Sequence, residues 1–225
     1  MSELTSVIEK LYYKNSNDKL AEPMAKYMRN KFKFLGIPRP KRAEILKPYL
    51  KDIRKISENE IIKFADFFWK KEEREFQYLA LNILDLTMKN FEEKFFDYFK
   101  FLITDKSWWD TVDFISSHHI AAVYKLNPKK FKPEIIKLSK DENIWNIRTS
   151  IIFQLGFGKE TDKELLSEVI KRNSGNKEFF IQKGIGWALR QVSYTDAKFV
   201  IDFVNETEMS NLAKREALKR LKKSD

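Results

Sequence analysis

The residues best equipped for chemistry lie on two stretches of helical character. Trp109 and Asp113 are four positions apart, so on a helix an indole and a carboxylate share one face, a turn from each other. A carboxylate in that setting stabilises developing positive charge or orients a water. On the second stretch Phe180, Lys183, Trp187, Arg190 and Tyr194 follow at intervals of three and four, alternating rings with cations along one face. Cations for phosphates and flat rings for sugars or bases are what a nucleic-acid groove requires. The same spacing also suits a Trp187 that packs between helices while Lys183 and Arg190 stay solvated. Arg148 stands between these stretches. Ile144, Ile147, Ile151 and Leu155 form the apolar side of its helix, which leaves Arg148 to another face. There it either clamps a phosphate bidentately or pairs with a surface acid such as Glu142.

These side chains need elements to hold them. Trp108, Val112 and Ile115 make an apolar stripe beside the Trp109, Asp113, Ser116 stripe, and Ile181, Ile185, Leu189 and Val192 do the same on the second helix. Adjacent tryptophans point about 100° apart on a helix, so Trp108 belongs to the core and Trp109 stands beside the acid. Other chemistries fare poorly. His118 and His119 are adjacent rather than at the i, i+4 spacing of a helical metal pair, and Gly156-Phe157-Gly158 reads as a helix stop, not a phosphate loop. Neither a metal nor a cofactor is expected.

The composition agrees. Of 225 residues, 34 % are charged and 14 % aromatic, with 19 Phe, far too many rings for a disordered chain. Six Gly and six Pro leave few turns for an all-β fold. A net charge of +10 points to a polyanionic partner, nucleic acid before membrane. The absence of cysteine excludes disulfides and thiolate catalysis. No secretory leader is visible, and no apolar run approaches the ~20 residues of a membrane span, so a soluble cytoplasmic protein is expected.

Helix punctuation is regular. Ser57 with Glu60 and Thr161 with Glu164 fit capping boxes, and Asn127-Pro128 reads as an N-cap followed by proline at the first helical position. Gly36 is expected to end a helix begun at Asp18, and Pro48 and Pro133 to end or kink theirs. Helices are predicted near 3–14, 18–35, 40–54, 58–70, 73–89, 91–104, 108–126, 128–139, 142–155, 162–173, 177–193, 195–205 and 210–222. Segments 74–84, 109–120, 146–155, 180–192 and 213–221 resemble one another at intervals of roughly 35 residues, the period of helical-hairpin repeats. The expected fold is all-α, a curved solenoid of HEAT-like helical hairpins forming a single domain over residues 1–225.

At these residues the chain resembles the AlkD branch of the DNA alkylation repair glycosylases. The likeness runs through residues 21–28, Phe34-Leu35-Gly36-Ile37, residues 106–113, Asp141 to Arg148, Lys177 to Lys183, and Trp187-Ala188-Leu189-Arg190. It implies a Trp–Asp–Trp active site, here Trp109, Asp113 and Trp187. It further implies that Arg148 meets DNA near the site and that Tyr27 lies by the N-terminal end of the groove. Excision without flipping the base into a pocket is also implied. Two departures stand out: Arg42 is followed by Ala43 where relatives carry paired arginines, and Gly184 replaces a familiar alanine, loosening its helix by up to ~1 kcal/mol.

The activity implied is hydrolysis of the N-glycosidic bond of cationic N3- and N7-alkylated purines in double-stranded DNA by a monomer. Such a base is already protonated in effect and leaves neutral, so one carboxylate suffices where ordinary glycosidases use two. Two other classes remain open: a non-catalytic DNA-binding paralogue that recognises distorted duplex, and a protein-binding helical scaffold, since fold does not establish function.

Overall fold

A computed structural model describes residues 2–221 of the chain. Most of them are helical. Among the described residues β pairing is limited to a single bridge, Lys33 to Glu73, and no helix is long and apolar enough to cross a membrane. The all-α class is as expected. The chain divides into two compact units, Met1–Phe91 and Glu92–Asp225.

The first unit contains α1 (Ser2–Lys14), α2 (Asp18–Tyr27), α3 (Arg39–Leu46), α4 (Leu50–Ile53), α5 (Glu58–Trp69) and α6 (Arg74–Leu86). The expected 18–35 helix stops at Tyr27, because Arg29 and Asn30 adopt positive φ and turn the chain out of the helix. Gly36 lies in the turn beyond. Its φ is +79°, and a Cβ there would come within 2.0 Å of the Asn17 carbonyl oxygen, so the turn admits no side chain. Glu75, fully buried, accepts hydrogen bonds from the N–H groups of Leu35, Gly36 and Ile37. Arg42 is also buried. Its Nη1 donates to the Ile37 carbonyl at 2.9 Å, and its guanidinium lies over the Tyr78 ring. Pro48 interrupts the expected 40–54 helix with a 3₁₀ turn, Lys47–Tyr49.

The second unit runs α7 (Phe95–Thr104), α8 (Trp109–Phe114), a π-helical segment (Ile115–Ile120), α9 (Ala121–Leu126), α10 (Pro128–Leu138), α11 (Ile144–Ile152), α12 (Lys163–Asn173), α13 (Phe179–Val192), α14 (Ala197–Glu206) and α15 (Asn211–Leu218). Helices α8, α11, α13 and α15 pack in succession, each against the next, while α10, α12 and α14 pack on α11, α11 and α13. That is the two-layered order of a helical repeat, with the second helix of each hairpin forming a shared layer. The expected helix 210–222 ends at Leu218, and position 222 lies outside the described residues.

Caps vary in their agreement with expectation. Asn127 caps α10 through the Lys130 N–H. At α12 the cap is Asp162, which accepts from the Leu165 N–H; Thr161 instead donates to the Gly158 carbonyl. Ser57 is the N-cap of α5, but its hydroxyl donates to the Glu60 carboxylate and accepts no capping hydrogen bond from a helix N–H. Helix α10 continues through Pro133 to Leu138.

Candidate active site

Helix α8 starts sharply. Lys106 has φ +48°, Trp108 is extended as N-cap, and Trp109 is the first helical residue. Trp108 is 7 % exposed and packs edge-on against Trp145 and Phe180, with ring centroids 5.7 and 5.1 Å apart. It is a core residue, as its stripe required. Trp109, the next residue, is half-buried, and Asp113 follows one turn later, also half-buried.

Ser116 does not stay with them. It is fully buried, and its hydroxyl lies 2.7 Å from the Val112 carbonyl and 2.8 Å from Thr149 Oγ1. The helix widens to π geometry at Ile115, which changes its phase, so α-helical spacing no longer predicts which side chains share a face. Ser117 donates to the Asp113 carbonyl at 2.7 Å, which fixes the backbone that carries the acid.

Asp113 faces Arg148. Nε of Arg148 donates to one carboxylate oxygen at 2.7 Å and Nη2 to the other at 2.8 Å, a bidentate fork of the stronger, charge-assisted kind. Nη1 of the same guanidinium donates to the Phe180 carbonyl at the start of α13. Arg148 is 4 % exposed. Its guanidinium is engaged inside the protein, so it stands in neither of the two positions expected from spacing, a phosphate clamp or a surface pair with Glu142. The cause is that α11 has no exposed face at this level: every residue from Trp145 to Ile152 is buried.

Gly184 explains how the guanidinium fits. A Cβ there would lie 3.2 Å from Arg148 Nη1 and 3.8 Å from its Cγ, so the missing methyl leaves Arg148 room to lie against α13. The departure from alanine noted in the sequence therefore falls at the residue that makes room for the acid's partner.

Burial raises the Asp113 carboxyl above the ordinary aspartate value; the Arg148 hydrogen bonds and charge pull it back, and Asp110 adds a smaller upward push. Both carboxylate oxygens act as acceptors, the pattern of the ionised form.

The aromatic and cationic face of α13 is present but not bare. Trp187 is half-buried. Lys183 and Arg190, on either side of it, both reach the carboxylate of Glu216 on α15, at 3.0 and 2.7 Å. Tyr194 is 61 % exposed, and Arg220 lies over its ring. In the first unit Tyr27, the last residue of α2, is 71 % exposed. The two histidines occupy different environments. His119 is fully buried, stacked on Phe99, and burial lowers it to about 3; His118 is exposed and stacked on Phe114.

Thus the structure joins Asp113, Arg148 and the start of α13 directly, and couples Lys183 to Arg190 through Glu216. Sequence reasoning did not find the roles of Glu216, Gly184 or the Phe180 carbonyl. Phe180 was visible only as a ring on the aromatic face, and nothing in the local pattern pairs Glu216 with α13.

The comparisons with known proteins point one way. A family model described as DNA alkylation repair enzyme matches residues 8–221. No curated protein matches the sequence. The chain is similar to a solved structure described as a predicted DNA alkylation repair enzyme from Enterococcus faecalis, with 33 % identity, a TM-score of 0.85, and coverage of 92 % of this chain and 96 % of that one. With a family match spanning both units, and the resemblance already carried by Trp109, Asp113, Arg148 and Trp187, the protein belongs to the DNA alkylation repair enzymes.

Proposed function

We propose that this protein is a DNA glycosylase that excises cationic N3- and N7-alkylated purines, such as 3-methyladenine and 7-methylguanine, from double-stranded DNA in base excision repair. The observation that carries the proposal is the Asp113 carboxylate, half-buried, held on both oxygens by one arginine and preceded one turn earlier by Trp109. Family membership supplies the DNA repair context.

In the proposed reaction the bond from C1′ of the deoxyribose to the base nitrogen breaks, and its electron pair leaves with the base. The alkylated purine carries a formal positive charge and departs neutral, so no acid has to protonate it. Positive charge builds on the sugar instead. Asp113 faces that charge, and its fixed orientation means no reorganisation is needed as the charge forms. A water adds to C1′ and gives its proton to Asp113 or to solvent. Trp109 and Trp187 are assigned to hold the sugar between their ring faces, whose quadrupoles favour cationic character.

Arg148 is assigned to holding Asp113; a phosphate contact of its own would require it to leave that pair. Lys183 and Arg190 are assigned to phosphates beside the lesion and Tyr27 to DNA met by the first unit. The protein is proposed to act as a monomer, with no cofactor and no metal. Selectivity follows the lability of the glycosidic bond more than the shape of the base, since the base does not have to fit a closed pocket.

The test is release of free base from methylated duplex DNA. The wild type should release methylpurines far above the spontaneous rate and leave undamaged DNA intact. DNA binding without release would place the protein instead among non-catalytic readers of distorted duplex.

A further inference from the structure

Lys183 and Arg190 share one acid. Oε1 of Glu216 lies 3.0 Å from Lys183 Nζ, and Oε2 lies 2.7 Å from Arg190 Nη1. That same Nη1 also donates to the Glu216 carbonyl at 3.1 Å. The side chain of Glu216 is only 12 % exposed, while those of Lys183 and Arg190 are 37 % and 26 % exposed. Backbone packing fixes the acid. Gly186, lying between the two cations in sequence, sits so close to α15 that a Cβ on it would fall 2.4 Å from Glu216 Cβ and 2.9 Å from the Ala213 carbonyl oxygen. The hydrogen bond from Lys183, with that from Arg190, outweighs burial and holds the Glu216 carboxyl below its usual value.

A carboxylate that bridges two cations with its two oxygens presents the charge and the acceptor atoms of a phosphate. We infer that Glu216 is a built-in competitor for DNA phosphate at Lys183 and Arg190, and that it lowers affinity for undamaged duplex. The inference rests on the proposed role of those two cations in meeting DNA. The trio carries a formal charge of +1 with Glu216 ionised and +2 without it. Each cation keeps a partly exposed side, so a phosphate approaches from there and shares the cation with Glu216, gaining less than it would from a free one. A repair enzyme that must leave normal DNA quickly gains from such damping, because the phosphate contribution is the same for every sequence.

The experiment is fluorescence anisotropy of a short undamaged duplex across a salt series, with the wild type, Glu216→Gln and Glu216→Asp. Glutamine keeps the Cβ that packs on Gly186 and removes the charge. E216Q should bind roughly 3–10-fold tighter at about 0.1 M salt, with a log–log salt slope steeper by about 0.9, the increment of one more neutralised phosphate. E216D, which keeps the charge, should stay near the wild type. Equal or weaker binding by E216Q with an unchanged slope would overturn the inference and leave Glu216 as an organiser of the two cations. Should E216Q melt below the assay temperature, Lys183→Gln decides: with its charge already offset by Glu216 it should change the slope by clearly less than about 0.9, and a full change would contradict competition. If the wild type shows no salt-dependent binding at all, the DNA assignment itself has failed and the inference falls with it.

Discussion

Each unit of the molecule keeps a carboxylate out of water, and the two are held in different ways. Glu75 in the first unit is fully buried. One of its oxygens accepts the Gly36 and Ile37 N–H groups, at 2.8 and 3.0 Å, and the other accepts the Leu35 N–H at 2.9 Å. Its donors are backbone atoms of a turn whose shape Gly36 dictates, so the acid is a structural clasp closed on all sides. Asp113 in the second unit also has both oxygens engaged, but by a single cationic side chain, and it retains 16 % side-chain exposure. Burial alone therefore does not mark an acid suited to the proposed chemistry. What distinguishes Asp113 is a cationic side chain that donates to both of its oxygens, where Glu75 has backbone donors with Arg42 only nearby, and a remaining path to the surface.

The comparison makes predictions of unequal size. The largest concerns the acids. Asp113→Asn should lower excision by about 10³-fold, the scale of losing one preorganised electrostatic group. Glu75→Gln should act on folding instead. It places an amide NH₂ against backbone donors and costs about 3 kcal/mol, read as a lowered melting temperature with little change in rate per folded molecule. If E75Q matched D113N in lost turnover while melting normally, the two acids would not differ in kind.

Next come the adjacent tryptophans. Trp108→Ala opens a cavity among Trp145 and Phe180 and should cost about 3–5 kcal/mol of stability. Trp109→Ala should melt close to the wild type while losing roughly 10-fold in single-turnover excision, the worth of one ring beside a cationic centre. A W109A variant that unfolds as readily as W108A would move Trp109 into the core.

The smallest effect is a shift in pH dependence. Because burial raises the Asp113 carboxyl, it protonates at a higher pH than a free aspartate, and excision should fall on the acid side of that raised value. Arg148→Lys keeps a charge but loses the fork, so less pulls the carboxyl down and the acid limb should move to higher pH. The sign for stability is consistent. A carboxyl raised in the folded state contributes stability that is present below its unfolded value and lost as pH rises through the folded one. R148K should therefore lose more melting temperature at neutral than at acid pH. A limb that stayed in place would detach Arg148 from the tuning of Asp113.

Much of this was legible in the sequence where one helix face decides the outcome. Trp108, Val112 and Ile115 are buried, as are Ile181, Ile185, Leu189 and Val192, and these stripes correctly separated Trp108 from Trp109. The spacing failed where a helix is enclosed or irregular. Periodicity puts Arg148 on an outer face, as a phosphate clamp or a surface partner of Glu142, yet α11 is covered all round at that level. Ser116 left the acid's face because the helix widens at Ile115, and hydrophobic periodicity does not report a π segment. Glu216 escaped notice because it meets Lys183 and Arg190 across a helix pair, 33 and 26 positions away. The 18–35 helix failed for a local reason, the left-handed Arg29 and Asn30, two residue types without glycine's advertisement of such a turn.

The most direct test of the central claim is release of methylated purine from alkylated duplex DNA, with wild type and Asp113→Asn measured side by side for both excision and binding. Release by the wild type is expected, with binding by both proteins within a few-fold and loss of most excision in the variant. Excision by D113N at the wild-type rate would contradict it, and would move the chemistry away from the carboxylate that Arg148 holds.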